Sequence, residues 1–168
     1  TQPHSAPGYQ RLIELVRNRR MAVRIRGDRF GLFTFLAPSQ QPRAAGAYIQ
    51  GLVGTFTQIY ADGDWINLAT GRNAEQDDLQ RIVIPRGLKP NPKYFHVRFY
   101  LREHLFIYEM GNGGLRLTPL NAKTLLDRQF SAETVIDRFG QVEVTCVPKR
   151  SHVDTILNDP TLKHIHVI

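Results

Sequence analysis

The sequence predicts an α+β domain: a mostly antiparallel sheet of hairpins, helices packed on one of its faces, and a C-terminal βαβ unit. Three observations carry this. Between Met21 and Met110, short segments alternate apolar and polar residues, the signature of strands with one covered face. Near residues 8–20 and 119–139, apolar residues recur at helical spacing instead. From Gln141 to Ile168 a strand pattern, a helix pattern and a second strand pattern follow each other, which implies a parallel pair with a right-handed crossover.

The elements follow in order. Thr1 to Pro7 read as an arm, and Pro7-Gly8 opens a helix with Leu12, Ile13, Leu15 and Val16 as its stripe. Met21, Val23 and Ile25 then alternate with Arg24 and Arg26, and Gly27-Asp28 turns the chain into a strand through Leu36. After a proline-containing loop at 38–46, Tyr48 to Tyr60 reads as one long extended segment, bent near Gly51 and Gly54. Asp62-Gly63 signals a hairpin returning through Trp65 to Leu68, and Leu79 to Pro85 reads as a short strand. Phe95, Val97, Phe99 and Leu101 share one face of the best hairpin, opposite Tyr94, His96, Arg98 and Tyr100, and Leu105 to Met110 runs back. Thr118-Pro119 reads as a helix cap and first residue, Ser131 caps a second short helix, and Gly140 stops it. Gln141 to Val147 reads as a strand, Ser151 caps a helix that Asp159-Pro160 stops, and Leu162 to Ile168 is a strand again.

The 168 residues suit a single domain, and the chain is expected to be the N-terminal part of a longer protein, because it begins without methionine and ends in mid-strand by pattern. Hydrophobic residues make up 42% and charged residues 22%, an ordinary globular balance. A net charge of +7 favours a polyanionic partner. No apolar run approaches the roughly 20 residues of a membrane helix, and no signal peptide is visible. A cytoplasmic location is expected. The single cysteine, Cys146, allows no internal disulfide, and its apolar pattern predicts a buried, inert thiol.

The stretch from Arg17 to Arg29 is the first candidate site. Arg17, Arg19 and Arg20 end a helix, Arg24 and Arg26 share a strand face, and Arg29 follows the turn. Guanidinium groups form strong, charge-assisted hydrogen bonds to phosphates, so an arginine-faced strand beside a basic helix end suits a nucleic-acid backbone. Solvation alone also accounts for charged residues on a sheet face. Arg98, among Tyr94, His96 and Tyr100, marks a second candidate, since rings stack on unpaired bases; coverage of the core edge explains the same rings. Lys149 and Arg150 extend the basic surface.

Metal and catalytic signals are sparse. Asp62 and Asp64 flank a turn without the full calcium-loop spacing, and Gly111 to Gly114 lacks the Lys and Ser/Thr of a phosphate loop. His164 and His166 point the same way from the last strand, without the two His-x-Thr/Ser copies of a two-histidine phosphodiesterase. No cofactor, metal or catalytic residue is therefore assigned.

The runs Val23 to Gly31, Thr55 to Trp65 and Ile84 to Asn91 resemble an uncharacterised bacterial family met in phage-defence and mobile-element contexts. The closing unit from Val142 to Lys149, with the helix and strand after it, is also similar to RexA-like phage-exclusion proteins. The second resemblance implies DNA binding and self-association, hence a possible homodimer. The leading expectation is a non-enzymatic DNA-binding domain contacting phosphates, with DNA favoured over RNA. The alternatives are a metal-dependent nuclease or phosphoesterase, and a protein-interaction module using an open sheet edge.

Overall fold

A computed structural model of the chain describes residues 5–38, 48–112 and 114–147. The first helix, α1 (Ala6–Arg19), starts where the Ser5 hydroxyl accepts the Gly8 N–H at 3.2 Å. Pro7 sits in the first turn, where its missing N–H costs nothing. Leu12, Ile13 and Val16 are buried, while Arg17 and Arg19 lie in the last turn, at the negative end of the helix dipole. Arg20 ends the helix in the left-handed region at φ 45°.

Two strands follow, β1 (Val23–Arg26) and β2 (Arg29–Pro38), joined through Gly27 at φ 49°. The next, β3 (Tyr48–Thr57), leads to an excursion holding β4 (Ile66–Asn67), β5 (Arg72–Asn73) and a one-turn helix, α2 (Gln76–Leu79). The long hairpin of β6 (Lys93–Tyr100) and β7 (Leu105–Tyr108) is followed by a two-residue pair, β8 (Gly111–Asn112) and β9 (Leu115–Arg116). Thr118 caps α3 (Pro119–Phe130) by accepting the Asn121 N–H at 3.3 Å, and α4 (Glu133–Phe139) ends at Gly140.

The main sheet has the order β1-β2-β3-β6-β7, antiparallel throughout. The fold is α+β, as the alternation predicts. Apolar residues of one sheet face, including Val23, Ile25, Phe33, Ile49, Val53, Val97 and Phe99, form the main core with side chains of α1, α3 and α4, and Phe95, Leu117 and Ala122 form a smaller cluster. Burying each such side chain contributes about 1.5–3 kcal/mol. Gln129 is the polar exception in α3. It is 1% exposed, and its Nε2 donates to the Met21 carbonyl at 2.7 Å, tying α3 to the chain entering β1.

A bulge shapes β2. The β2–β3 register slips between Phe33 and Phe35, which leaves Thr34 as the extra residue. Its hydroxyl donates to the Leu52 carbonyl at 3.1 Å. Across from the bulge, a Cβ on Gly51 would overlap the Phe35 carbonyl oxygen, so only glycine fits there.

Four expectations are corrected. The Asp62-Gly63 turn forms, with the Gly63 N–H donating to the Tyr60 carbonyl at 3.3 Å, but no strand returns along β3. The backbone of Thr57 and Gln58 is already bonded to Pro90 and Asp28 on either side, so Ile66 and Asn67 pair with Arg72 and Asn73 instead. Leu79 to Pro85 is not a strand: the N–H groups of Arg81 and Ile82 donate to the carbonyls of Asp78 and Leu79 in helical turns. Gln141 to Val147 carries no strand assignment, although Val142 and Val144 pack against the core. The helix and second strand of the expected βαβ unit lie outside the described residues. Cys146 is exposed, not buried, because this unpaired segment lies along the start of α3, with Sγ 3.9 Å from the Pro119 carbonyl.

Candidate nucleic-acid interface

Because α1, α3 and α4 pack on one face of the sheet, strand alternation places a defined set of side chains on the other. In β1 Arg24 takes this face; Arg26 is also exposed, but the register shifts after Arg24 and sets Arg26 opposite Arg29, while Val23 and Ile25 are buried. In β3 the set is Tyr48, Gln50, Leu52, Gly54 and Phe56, and in β6 Tyr94, His96, Arg98 and Tyr100. Leu105 and Ile107 continue the face in β7, followed by Glu109. Phe30, Leu32 and, beyond the bulge, Phe35 supply it from β2.

Cross-strand register groups these residues. Arg24 lies opposite Phe30, which lies opposite Phe56. The Arg24 guanidinium carbon is 5.7 Å from the Phe30 ring centroid, and the Phe30 and Phe56 rings stack with centroids 6.1 Å apart. Leu32, Gly54 and Tyr94 form the next row. Phe35, Leu52 and His96 follow, then Ala37, Gln50, Arg98 and Ile107. Arg98 sits 5.3 Å over the Tyr48 ring, and Tyr48 in turn meets Tyr100 at 5.5 Å. These ring contacts hold two guanidinium groups against the sheet while leaving the residues exposed.

Between β2 and β7 the face is concave. A groove of about 640 Å³ is lined by Phe35, Leu52, Gln50, His96, Arg98 and Ile107, among others. Its volume falls in the roughly 300–1,000 Å³ range of small-molecule sites. Glu109 stands at its edge, where a carboxylate oxygen accepts the His96 N–H at 3.3 Å.

The arginines adjacent in sequence are thus divided in space. Arg24 shares the open face with Arg98, which belongs to the second sequence candidate, while Arg26, past the register shift in β1, lies opposite Arg29. Arg17 and Arg20 are exposed at the end of α1, on the helix side of the sheet. Arg19 donates to the Gln129 carbonyl at 3.5 Å and approaches the Met21 sulfur at 3.2 Å. Arg29 alternates with Phe30 and points away from the open face. Its guanidinium donates to the Thr57 hydroxyl at 3.2 Å and the Asn91 carbonyl at 3.3 Å, bracing the strand ends. Lys149, Arg150, His164 and His166 lie outside the described residues.

Asp62 and Asp64 are exposed in their turn, and no group of three or more potential His, Cys, Asp or Glu metal ligands occurs among the described residues. None of the described helices is long and apolar enough to cross a membrane. Tyr9 and Tyr108, both on the helix side, have hydroxyls held above the ordinary tyrosine range by burial.

Phe30, Phe35, Tyr48 and Phe56 were not among the sequence candidates. The signal for Tyr48 and Phe56 was their shared parity with Gln50 in one long strand. Phe35 gave none, because the bulge moves it to the face opposite the one simple alternation assigns.

Over residues 1–168 the chain matches the family described as a domain of unknown function (DUF4747), and it belongs to that family. No match was found among curated proteins or among solved structures.

Proposed function

We propose that this domain is a non-enzymatic DNA-binding module that holds the phosphate backbone on the open face of its sheet. The observation that carries the reading is the common face of Arg24 and Arg98, interleaved with aromatic rings and bordered by Glu109, with exposed Arg26 at the strand end beside it. Arginine suits this role because its planar fork can make two parallel hydrogen bonds to one phosphate. Contacts of this kind fix position without reading sequence. Arg17 and Arg20 extend the basic surface around the β1 edge. The phage-defence or mobile-element setting, the RexA-like character and the homodimer belong to the same proposal, and they rest on sequence resemblance alone.

The test is binding of a labelled random-sequence duplex across a salt series. Binding that weakens linearly on a log–log plot, and is lost on Arg24→Glu with Arg26→Glu, supports the reading. Binding that is absent at low salt, or unchanged in that variant, overturns it.

A second reading rests on the excursion between β3 and β6. Ile66, Leu68, Val83 and Leu88 are exposed there, Leu68 and Val83 by more than 80%. Exposed aliphatic residues gathered on one connection suit a protein contact. A mass that grows with concentration at high salt, and stays monomeric in Leu68→Asp with Val83→Asp, supports self-association through this connection.

A further inference from the structure

We infer that the partner of the open face is an unpaired nucleic-acid strand, with one base seated in the groove between Phe35 and Ile107. This deepens the preceding reading and rests on it. A duplex presents its charged backbone outward and keeps its bases stacked inside. A face made only to grip phosphates has little use for rings. This face alternates the two. Phe35 and Tyr94 are 49% and 47% exposed, high values for large rings on a sheet, and both stand between Arg24 and Arg98.

The glycine at position 54 makes that arrangement possible. A Cβ there would come within 2.7 Å of the Thr34 methyl and 3.3 Å of the Tyr94 ring. Without it, the Tyr94 ring lies beside Gly54, and the residue stays 47% exposed. Sequence-tolerant binding of single strands uses this combination: rings on which bases stack, and a basic track for the backbone. The groove adds polar groups beside an apolar floor. Leu52 forms the floor, Phe35 and Ile107 the flanks, and Gln50, His96 and Arg98 offer hydrogen-bonding side chains. Gln50 and Arg98 face each other across β3 and β6.

The scale also fits several nucleotides. From β1 to β6 is three strand spacings, roughly 14 Å at about 4.8 Å each. Arg98 also lies six residues along β6 from the Arg24 row, roughly 20 Å further at about 3.4 Å per residue. A strand crossing the sheet diagonally from Arg24 to Arg98 passes Phe30, Tyr94 and His96 on the way.

The experiment is fluorescence anisotropy with labelled oligo(dT), oligo(rU) and a duplex of equal length, on the whole chain. Oligo(dT) or oligo(rU) is expected to bind at least about tenfold tighter than the duplex. Phe35→Leu and Tyr94→Leu, which keep apolar area but remove the ring, should each weaken single-strand binding by about fivefold to about 150-fold, the range of one base–aromatic stack. Phe35→Tyr should retain it, which separates lost stacking from lost folding. Equal affinity for duplex and single strands, or leucine variants that bind single strands like the parent, overturns this inference even if duplex binding persists and the phosphate-binding reading stands. Loss of binding to all three probes in the parent protein overturns both.

Discussion

Replacing Arg24 and Arg26 together by glutamine removes two of the three charges of Arg24, Arg26 and Arg98 and keeps part of each side chain's apolar stem. If each of the three neutralises one phosphate of a duplex, the log–log salt slope of the parent is about 2.7, at about 0.9 per phosphate. A fourfold rise in salt then weakens parent binding roughly 40-fold. The variant keeps one contact, a slope of about 0.9, and weakens only roughly 3.5-fold over the same range. Folding should be nearly untouched. The interaction lost is the stacking of Arg24 over Phe30, worth about 0.5–1 kcal/mol at an exposed site, or less than about 4 °C in Tm. The assay is a duplex titration at several salt concentrations, beside a thermal melt. A variant slope equal to that of the parent would refute the reasoning, because it would show that neither arginine displaces a counterion.

Other consequences follow from the packing. Gln129→Ala orphans the Met21 carbonyl, and that loss alone should destabilise the domain by about 1–3 kcal/mol in denaturant unfolding; a change under about 0.5 kcal/mol would contradict the clamp between α3 and β1. Gly51→Ala drives a Cβ into the Phe35 carbonyl and should cost about 1–3 kcal/mol or more, whereas a neutral melt would show that the bulge relaxes freely. Thr118→Ala removes the cap of α3 and should cost about 1 kcal/mol, read from the same melts. Burial raises the Tyr9 and Tyr108 hydroxyls above 10.0, so the folded state favours their neutral forms. Their contribution is therefore complete below about pH 10 and lost as pH rises through the folded values. Tyr9→Phe with Tyr108→Phe should flatten the alkaline fall in stability, and an unchanged pH profile would place its origin elsewhere.

Much of the fold was legible because local pattern and tertiary packing agree. Alternation in Val23 to Arg26 and in Phe95 to Leu101 named the buried residues of β1 and β6. Thr118-Pro119 marked the start of α3. What failed depended on neighbours rather than on pattern. Ile82 and Ile84 alternate with Arg81 and Val83, yet the preceding helical turns use the N–H groups of Arg81 and Ile82. Trp65 to Leu68 has strand character, but β3 already has a partner on each side. The arginine run was legible as composition and not as a surface. Only the junction of α1 with β1 sends Arg17 and Arg20 to one side of the sheet and Arg24 to the other. The placing of Arg24 and Arg98 on one face required the strand order β1-β2-β3-β6, which no local signal contains. Phe35 required the bulge.

The central claim is that nucleic acid lies on the uncovered face of the sheet, and NMR perturbation mapping during titration with oligo(dT) and with a duplex tests it most directly. The account predicts shifts gathered on Arg24, Phe30, Tyr94, His96 and Arg98, with the exposed faces of α3 and α4 silent. Shifts confined to Arg17, Arg20 and the helices, with β3 and β6 unmoved, would contradict it.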